Sequence, residues 1–548
     1  MLAEVKRIDH WGIVAGVIKD LDIAKLINEE IGTDIQEILT TGDVVAGMII
    51  NGLGFASRPL MLSPQFFENK ALNLLIKPGV RAEHFNRHRI GRALDVISKF
   101  GAEKLFHLVA LSACATEGVN TRFAHADTTS YSLTGAYDSK EIDKNGEVIE
   151  QAINITYGYS KENRPDLKQI IQEMVTSQDG GIPFATKTLS GNASDSKILR
   201  ERAEALMNEF DRSGSRGLVA DSKLYSKETA STLNKINFIT RVPSTIKLER
   251  ETIIKALMQN DDWQVISDGY KCQEFYVNCY EIEDQRWLVF YSTQAYERSK
   301  KTLEKNVKKE EEKIQKELLS LHARSFGCEG DANKELELIA KKWKYHDVDK
   351  SSISEIKHYT ARGRPTANAF HETRYKIQAK FIFSQTAFDQ ALDQDSCFIL
   401  ATNFSQKSLS AVETLTAYKG QDFTEKGFAF LKKDEFFTSS LNLEKPGRIE
   451  ALLMIMVLSL LIYSIAQRRL RKKLETHNQA IPNQLKKPVK NPTMRWIFQL
   501  FEGVNFIIIK INNAEKAFVE GFNDLRQKII NLLGGHAVKI YHEAWSKG

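Results

Sequence analysis

Cysteine is scarce in this chain. Its 548 residues include five, Cys114, Cys272, Cys279, Cys328 and Cys397. The count is odd and the spacing fits no zinc pattern, so free thiols in a reducing cytosol are expected rather than a disulfide framework. The signatures of several enzyme classes are also missing. There is no Walker A loop, no Gly-x-Ser-x-Gly turn and no His-Glu-x-x-His helix. No signal-peptide pattern opens the chain, because Glu4, Lys6 and Arg7 bring charge at once. Long apolar runs are lacking, with one exception at Ala451 to Ala466. That run is shorter than the ~20 residues a spanning helix needs. Glu450 and Gln467 bound it closely. It is expected to be a helix buried on most sides and packed on a sheet, with no membrane involved.

Charge of one sign is only mildly in excess. The chain has 76 Lys and Arg against 70 Asp and Glu, a net charge of +6, which supports a nucleic-acid partner weakly. Local clusters say more. Lys77, Arg81, Arg87, Arg89 and Arg92 lie in one stretch with His84 and His88. Arg468, Arg469, Arg471, Lys472 and Lys473 form a tight run, and Lys486, Lys487 and Lys490 follow. Each cluster fits either nucleic-acid contact or a solvated face with helix C-terminal charges. With 42% apolar and 27% charged residues, the composition is that of a soluble globular protein with room for two to four domains.

The pattern along the chain suggests five regions. Residues 1–120 read as helical, at Ala24 to Ile31, Gly42 to Gly52, Ile90 to Phe100 and Ala102 to Cys114. Residues 121–243 alternate in a telling order. Strands are expected around Asp127 and over Ile153 to Gly158. A hairpin follows over Gln172 to Leu189, turning at Asp179-Gly180-Gly181. Next come a helix over Ser196 to Phe210, a strand ending at Asp221, a helix over Lys227 to Lys235 and a strand over Phe238 to Val242. Antiparallel strands followed by helix–strand–helix–strand give an α/β class with the order of a ribonuclease-H-like core, a mixed sheet with helices on both faces.

Residues 244–395 read as an inserted, mainly β domain with helical arms. It holds strands over Glu274 to Tyr280 and Arg286 to Tyr291, and a charged helix over Lys300 to Leu321. Residues 396–475 complete the core, starting with a strand over Cys397 to Thr402. Residues 476–548 begin as a linker and continue as a helical packing or dimerisation arm, with amphipathic segments at Trp496 to Asn512 and Ala514 to Leu533.

Three acidic residues carry the chemistry of this reading. Asp127 lies in a strand-like run, Arg122-Phe-Ala-His-Ala-Asp127-Thr-Thr-Ser-Tyr131. Asp221 ends the apolar run Gly217-Leu-Val-Ala-Asp221, with Lys223 and Tyr225 after it. Glu425 lies in Tyr418-x-x-Gln421-x-x-x-Glu425-x6-Lys432. On one continuous helix those four positions would share an arc of ~60°. Phe423, Gly427, Phe430 and Leu431 would then form the buried side. A carboxylate at the end of a buried strand is held rigidly where ligands bind. Either aspartate also fits a strand-end or capping role. Three carboxylates from two strands and a helix can bridge two Mg²⁺ ions, because hard cations want oxygen ligands. Two such ions ~4 Å apart support phosphodiester cleavage. His125 shares a strand face with Asp127 and fits a core position or a site-ordering one.

On these residues the chain resembles the DDE transposases of bacterial insertion sequences, in the branch named for a Tyr-Arg-Glu-Lys motif. Tyr418, Gln421, Glu425 and Lys432 match that motif, with Gln421 in place of Arg. Further matches are Gly158-Tyr-Ser-Lys161-Glu-Asn-Arg164-Pro-Asp166-Leu-Lys-Gln169, Ser190-Gly-Asn192-Ala-Ser-Asp195, Lys432-Lys-Asp-Glu-Phe436 and Lys445-Pro-Gly-Arg448-Ile-Glu450. The resemblance runs from about residue 5 to the C-terminus.

It implies a ribonuclease-H-like fold with a β-rich insertion, and an N-terminal region that binds DNA ends or dimerises. It implies catalysis by Asp127, Asp221 and Glu425 through two Mg²⁺ ions that Mn²⁺ can replace. The partners implied are terminal inverted repeats, target DNA and a second copy of the chain in the DNA complex, in a bacterial cytoplasm at the nucleoid. Tyr418, Gln421, Lys432, Lys161 and Arg164 are candidate DNA contacts. Trp263, Trp287 and Trp343 are candidates for stacking a displaced base, and each also fits a buried core position. Two rivals stay open: a transposase-derived DNA-binding protein that no longer cuts, and a ribonuclease-H-like nuclease without strand transfer.

Overall fold

A computed structural model describes residues 2–55, 60–137, 153–205, 214–259, 262–280, 282–359, 370–433, 443–511 and 514–546. The chain opens with β1 (Leu2–Arg7), α1 (Trp11–Asp20), α2 (Ile23–Ile31) and α3 (Thr41–Gly52). Short α4 (Ser63–Phe67) and α5 (Leu72–Leu75) lead to α6 (Arg87–Phe100) and α7 (Ala102–Glu117). Next come β2 (Phe123–Leu133), β3 (Lys168–Ser177), β4 (Pro183–Ser190), α8 (Asp195–Ala205), β5 (Gly217–Ala220), α9 (Ala230–Leu233) and β6 (Phe238–Arg241). The middle holds α10 (Lys247–Met258), β7 (Gln264–Ser267), β8 (Tyr270–Cys279), β9 (Ile282–Ser292), α11 (Thr293–Ala323) and α12 (Glu329–Ala340). It continues through β10 (His346–His358), β11 (Glu372–Phe383), α13 (Gln385–Asp395) and β12 (Cys397–Thr402). The last part is α14 (Ala411–Lys419), α15 (Asp422–Leu431), α16 (Pro446–Thr476), β13 (Ile481–Pro482), β14 (Pro488–Val489), α17 (Met494–Leu500), β15 (Asn505–Ile511), β16 (Ala514–Glu520), α18 (Asp524–Leu533) and α19 (Gly535–Ser546).

These elements form two compact units. The first comprises Met1–Thr240, Tyr280–Ile282 and Glu413–Gly548; the second comprises Arg241–Cys279 and Glu283–Val412. In the first unit the strands run in the order β4-β3-β2-β5-β6. The β4-β3-β2 part is antiparallel, and β2, β5 and β6 are parallel. A second sheet, β1-β15-β16, is antiparallel.

The core of the first unit is built on α16. Pro446 opens this helix at a position where the missing N–H costs nothing. Nearly every residue from Ile449 to Ala466 is buried. The helix is long and apolar enough to cross a membrane, and 89% of that apolar window is buried inside the protein. It is a core helix, as its bounding polar residues suggest. Its basic end is also inward-facing. Arg468 donates to Asp179 at 2.8 and 2.5 Å, and to the Glu117 and Gly118 carbonyls at 3.0 and 3.1 Å. Arg469 pairs with Asp20 at 2.6 Å and Glu117 at 2.5 Å. Those arginines tie the fold together; Lys472 and Lys473 face solvent.

The second unit has the strand order β12-β9-β8-β7 and a separate β10–β11 hairpin. The 31-residue α11 buries Leu303, Ile314, Leu318 and Leu321 along one stripe, as its periodicity predicts. The last three of these pack on Ala332, Leu336 and Ile377. With α10 to α13 present, this unit is as helical as it is β, not mainly β.

Three expectations need correction. Residues Ile153 to Gly158 form no strand; only Thr156 bridges to Gln169. Ser190, the last residue of β4, pairs with Ile170. That leaves Gln169 open on one side, and Thr156 pairs there. The C-terminal arm is not wholly helical, because β15 and β16 replace the expected helical pattern. Four isoleucines in Asn505–Ile511 favour a strand, and β1 supplies its partner. Finally, Tyr418 and Glu425 are not on one helix. α14 ends at Lys419 and α15 starts at Asp422. The predicted helix over Ser196 to Phe210 runs beyond Ala205 into residues outside those described, as do Asp434 to Phe436.

Candidate active site

The geometry begins with strand register. β2 and β5 run parallel, with Ala124 beside Leu218 and His125 beside Val219. Two residues further, Asp127 comes level with Asp221, where the chain has just left β5. Neighbouring strands lie about 4.8 Å apart, so the two carboxylates start from adjacent backbones. Each is held by backbone. The Thr128 N–H donates to Asp127 Oδ1 at 2.7 Å. The Lys223 N–H donates to Asp221 Oδ1 at 3.0 Å, capping a single helical turn. The Thr240 hydroxyl donates to the Asp221 carbonyl at 2.8 Å.

Glu425 comes within electrostatic reach of Asp127 because its helix is bolted to β2. Thr424 is fully buried, and its hydroxyl donates to the His125 carbonyl at 3.3 Å. Thr176 Oγ1 on β3 lies 2.6 Å from Thr424 Oγ1. The break before α15 makes this approach possible. A Cβ on Gly420 would sit 2.8 Å from the His125 ring. Glu425 itself lies exposed in the first turn of α15, where the helix dipole favours an acid.

Charge reports the same convergence. Asp127 is raised from 3.8 to about 6, chiefly by burial, with the charges of Asp221 and Glu425 adding to it. The Thr128 N–H and Lys161 oppose that rise. Asp127 is therefore the carboxylate that feels both others. His125 beside it is completely buried, and burial holds its imidazole at about 4. Neither ring nitrogen has a hydrogen-bond partner among the described residues. It is a neutral core residue.

A cationic rim borders the carboxylates. Lys161 Nζ donates to the carbonyl and hydroxyl of Thr128, both at 2.7 Å, and lies 3.3 Å from Asp195. Lys223 also pairs with Asp195. Burial pushes Asp195 up, but hydrogen bonds from Lys223 and Thr128 and the Lys161 charge hold it below its ordinary value. Sequence reasoning missed Asp195, Lys223 and Thr424 as members of this region. The Ser190-Gly-Asn-Ala-Ser-Asp195 stretch was the one signal pointing to Asp195.

The remaining candidates divide. Lys432 closes α15 and pairs with Glu162 at 2.8 Å. Arg164 is exposed and held in a two-point pair by Asp166 at 2.9 and 2.8 Å. Tyr418 is half-buried on α14, whereas Gln421 is 7% exposed between the helices and joins no exposed stripe with Glu425. Phe423, expected inside, is 37% exposed. In the second unit, Trp287 is completely buried and donates to Gln285 at 3.3 Å, so a core position is the one it takes. Trp343 is half-buried against Phe381, and Trp263 lies half-buried beside Tyr291.

Residues 3–111 match a family model described as a domain of unknown function, DUF4277. That match covers the N-terminal helices and not the three carboxylates. No curated protein matches the chain. Among solved structures, the chain is similar to a cryo-EM structure of a piggyBac transposase synaptic complex with hairpin DNA. Identity is 9% and the TM-score 0.36, over 91% of this chain and 82% of that one. Overlap at that level defines neither the fold nor the activity of this chain.

The donor set at the site consists of carboxylate oxygens, which suits Mg²⁺ or Mn²⁺ and no softer metal. Among the described residues, no three His, Cys, Asp or Glu side chains already stand close enough to hold one ion.

Proposed function

We propose that this chain is a DDE-type DNA transposase with a ribonuclease-H-like core. It would hydrolyse phosphodiesters at the ends of its own element and join the freed 3′ ends to target DNA. One observation carries the reading: Asp127 and Asp221 are brought level by parallel strands, and Glu425, on a helix bolted to β2, acts with Asp221 on the charge of Asp127. The strand order β4-β3-β2-β5-β6 is the one this core would have.

In this proposal Asp127 is the shared ligand, Asp221 completes one ion site and Glu425 the other. Two Mg²⁺ ions bound there would supply an activated water and charge for the leaving 3′ oxygen. The chain's own groups do the rest. The Thr128 and Lys223 N–H groups fix the carboxylates. Lys161, Lys432, Arg164 and Tyr418 would contact the DNA backbone, which positions DNA without reading its sequence. Terminal inverted repeats, a paired-end dimer, the Tyr-Arg-Glu-Lys branch and a site of action at the bacterial nucleoid belong to the same proposal.

The test is cleavage of DNA carrying the element's ends with Mg²⁺ or Mn²⁺, comparing wild type with Glu425→Gln. Loss of a metal ligand should reduce 3′-end cutting by at least about 100-fold. End binding without cutting by the wild type would favour a DNA-binding protein that has lost activity. Cutting without joining would favour a nuclease. Equal cutting by both proteins would sink the choice of Glu425 and turn attention to Glu413 and Asp422.

A further inference from the structure

One carboxylate outside the proposed triad touches the segments that carry two of its members. Asp195 is the first residue of α8, and its side chain is 17% exposed. Its Oδ1 accepts from the Thr128 hydroxyl at 2.6 Å, and Thr128 directly follows Asp127. Its Oδ2 faces two ammonium groups, Lys161 at 3.3 Å and Lys223, which lies two residues beyond Asp221. Lys161 in turn is fixed on Thr128 through both oxygens. The β2 strand, the turn after β5 and the 160s loop thus meet on a single carboxylate.

The electrostatics say what that meeting does. Two ammonium groups would repel each other if Asp195 were neutral, and the Thr128 hydroxyl would lose its charged acceptor. With Asp195 ionised, the three side chains carry one positive charge in surplus. The Lys223 side chain is 46% exposed, so this surplus is open to solvent at the edge of the carboxylates. An ammonium held as a point charge suits a phosphate oxygen that approaches from solution.

We propose that Asp195 is a positioning residue for phosphodiester cleavage. It ties the Asp127 strand to the Asp221 turn and holds Lys161 and Lys223 ready for a DNA phosphate. This rests on the transposase reading above and extends it to a group in none of the three ligand positions.

The test uses the full chain as wild type, Asp195→Asn, Lys223→Met and the double variant. Three quantities are measured: 3′-end cutting against Mn²⁺ concentration, the rise in Tm that Mn²⁺ produces, and Tm without ion. Asp195→Asn should raise the Mn²⁺ half-point roughly 10- to 100-fold in both ion-dependent measurements, the usual effect of losing a group that orients a ligand. Tm without ion should fall only slightly, because the lost pairs are partly exposed to water. The double variant should be no worse than Asp195→Asn alone, because the two side chains act as one unit.

A fall in ion-free Tm with an unchanged half-point would make Asp195 a structural residue and overturn the proposal, as would additive losses in the double variant. If Asp195→Asn does not fold, Lys223→Met carries the test through its own half-point, and no change there overturns the proposal. A wild type that cuts, with Asp195→Asn matching it throughout, refutes this inference alone. A wild type that neither cuts nor gains Tm with Mn²⁺ refutes the transposase reading and this inference with it.

Discussion

At the scale of single residues, burial decides which groups can change charge. His10 is the clearest case away from the candidate site. Its ring stacks on Phe498 at 4.4 Å, and its Nε2 bonds the Leu53 carbonyl at 2.9 Å. Burial lowers its pKa to about 4, the Leu53 bond opposes this, and the Arg7 and Lys70 charges add to the lowering. The folded chain therefore refuses a proton that the unfolded chain accepts between pH ~6.5 and ~4. Stability from this residue is complete above pH ~6.5 and falls as pH drops through that window, by about 3 kcal/mol in full. His125, also held at about 4, adds a parallel loss. Urea unfolding between pH 7 and pH 4 should show a shallower decline for His10→Gln than for wild type. Equal slopes would mean that His10 is not the proton refused.

At the scale of elements, the docking of α15 is a relay of hydroxyls. Thr176 on β3 meets Thr424 on α15, and Thr424 donates to the His125 carbonyl on β2. Thr424→Val keeps the shape and leaves Thr176 without its partner in a dry site. The expected cost is about 1–3 kcal/mol. Thr176→Val added to it should recover part of that, since removing both hydroxyls leaves fewer orphaned groups. Urea midpoints of the two single variants and the double variant check this, and a double variant at the sum of the singles would refute the relay.

Elements also show what could be read in the sequence. The strand around Asp127 and the strand end at Asp221 were legible because local pattern is enough to place a strand, although Asp127 lies within β2 and not at its end. The helix that carries Glu425 was legible, but the break that separates it from Tyr418 was not. At the break Gly420 packs against the His125 ring nearly three hundred positions away, which no local window contains. The same holds for Asp195, whose three partners come from three separate segments. The β15–β16 hairpin was misread because Trp496 to Asn512 has an amphipathic rhythm, and its real partner, β1, lies at the far end of the chain.

At the scale of the whole molecule, the first unit is fastened by its two chain ends. β1 pairs with β15 from Leu2–Lys510 to Arg7–Asn505. α1 lies so close to α19 that a Cβ on Gly12 would strike the Tyr541 ring at 2.6 Å, and one on Gly16 would strike Ala537 at 2.5 Å. A chain truncated after Leu500 should lose this clasp. Limited proteolysis should then cut within α1, whose residues from Trp11 to Ile18 are buried in the full chain. Survival of that segment as an intact fragment would show that the N-terminal helices stand without the clasp.

The same sheet sets a schedule. β1 leaves the ribosome roughly 500 residues before β15, an interval of about 25–100 s at ordinary rates of translation. Throughout that interval β1 lacks its β15 partner, although Arg7 at its end can already bond Asn69 and Ala71. The pairing of β1 in this sheet is therefore completed late, after β15 has been made.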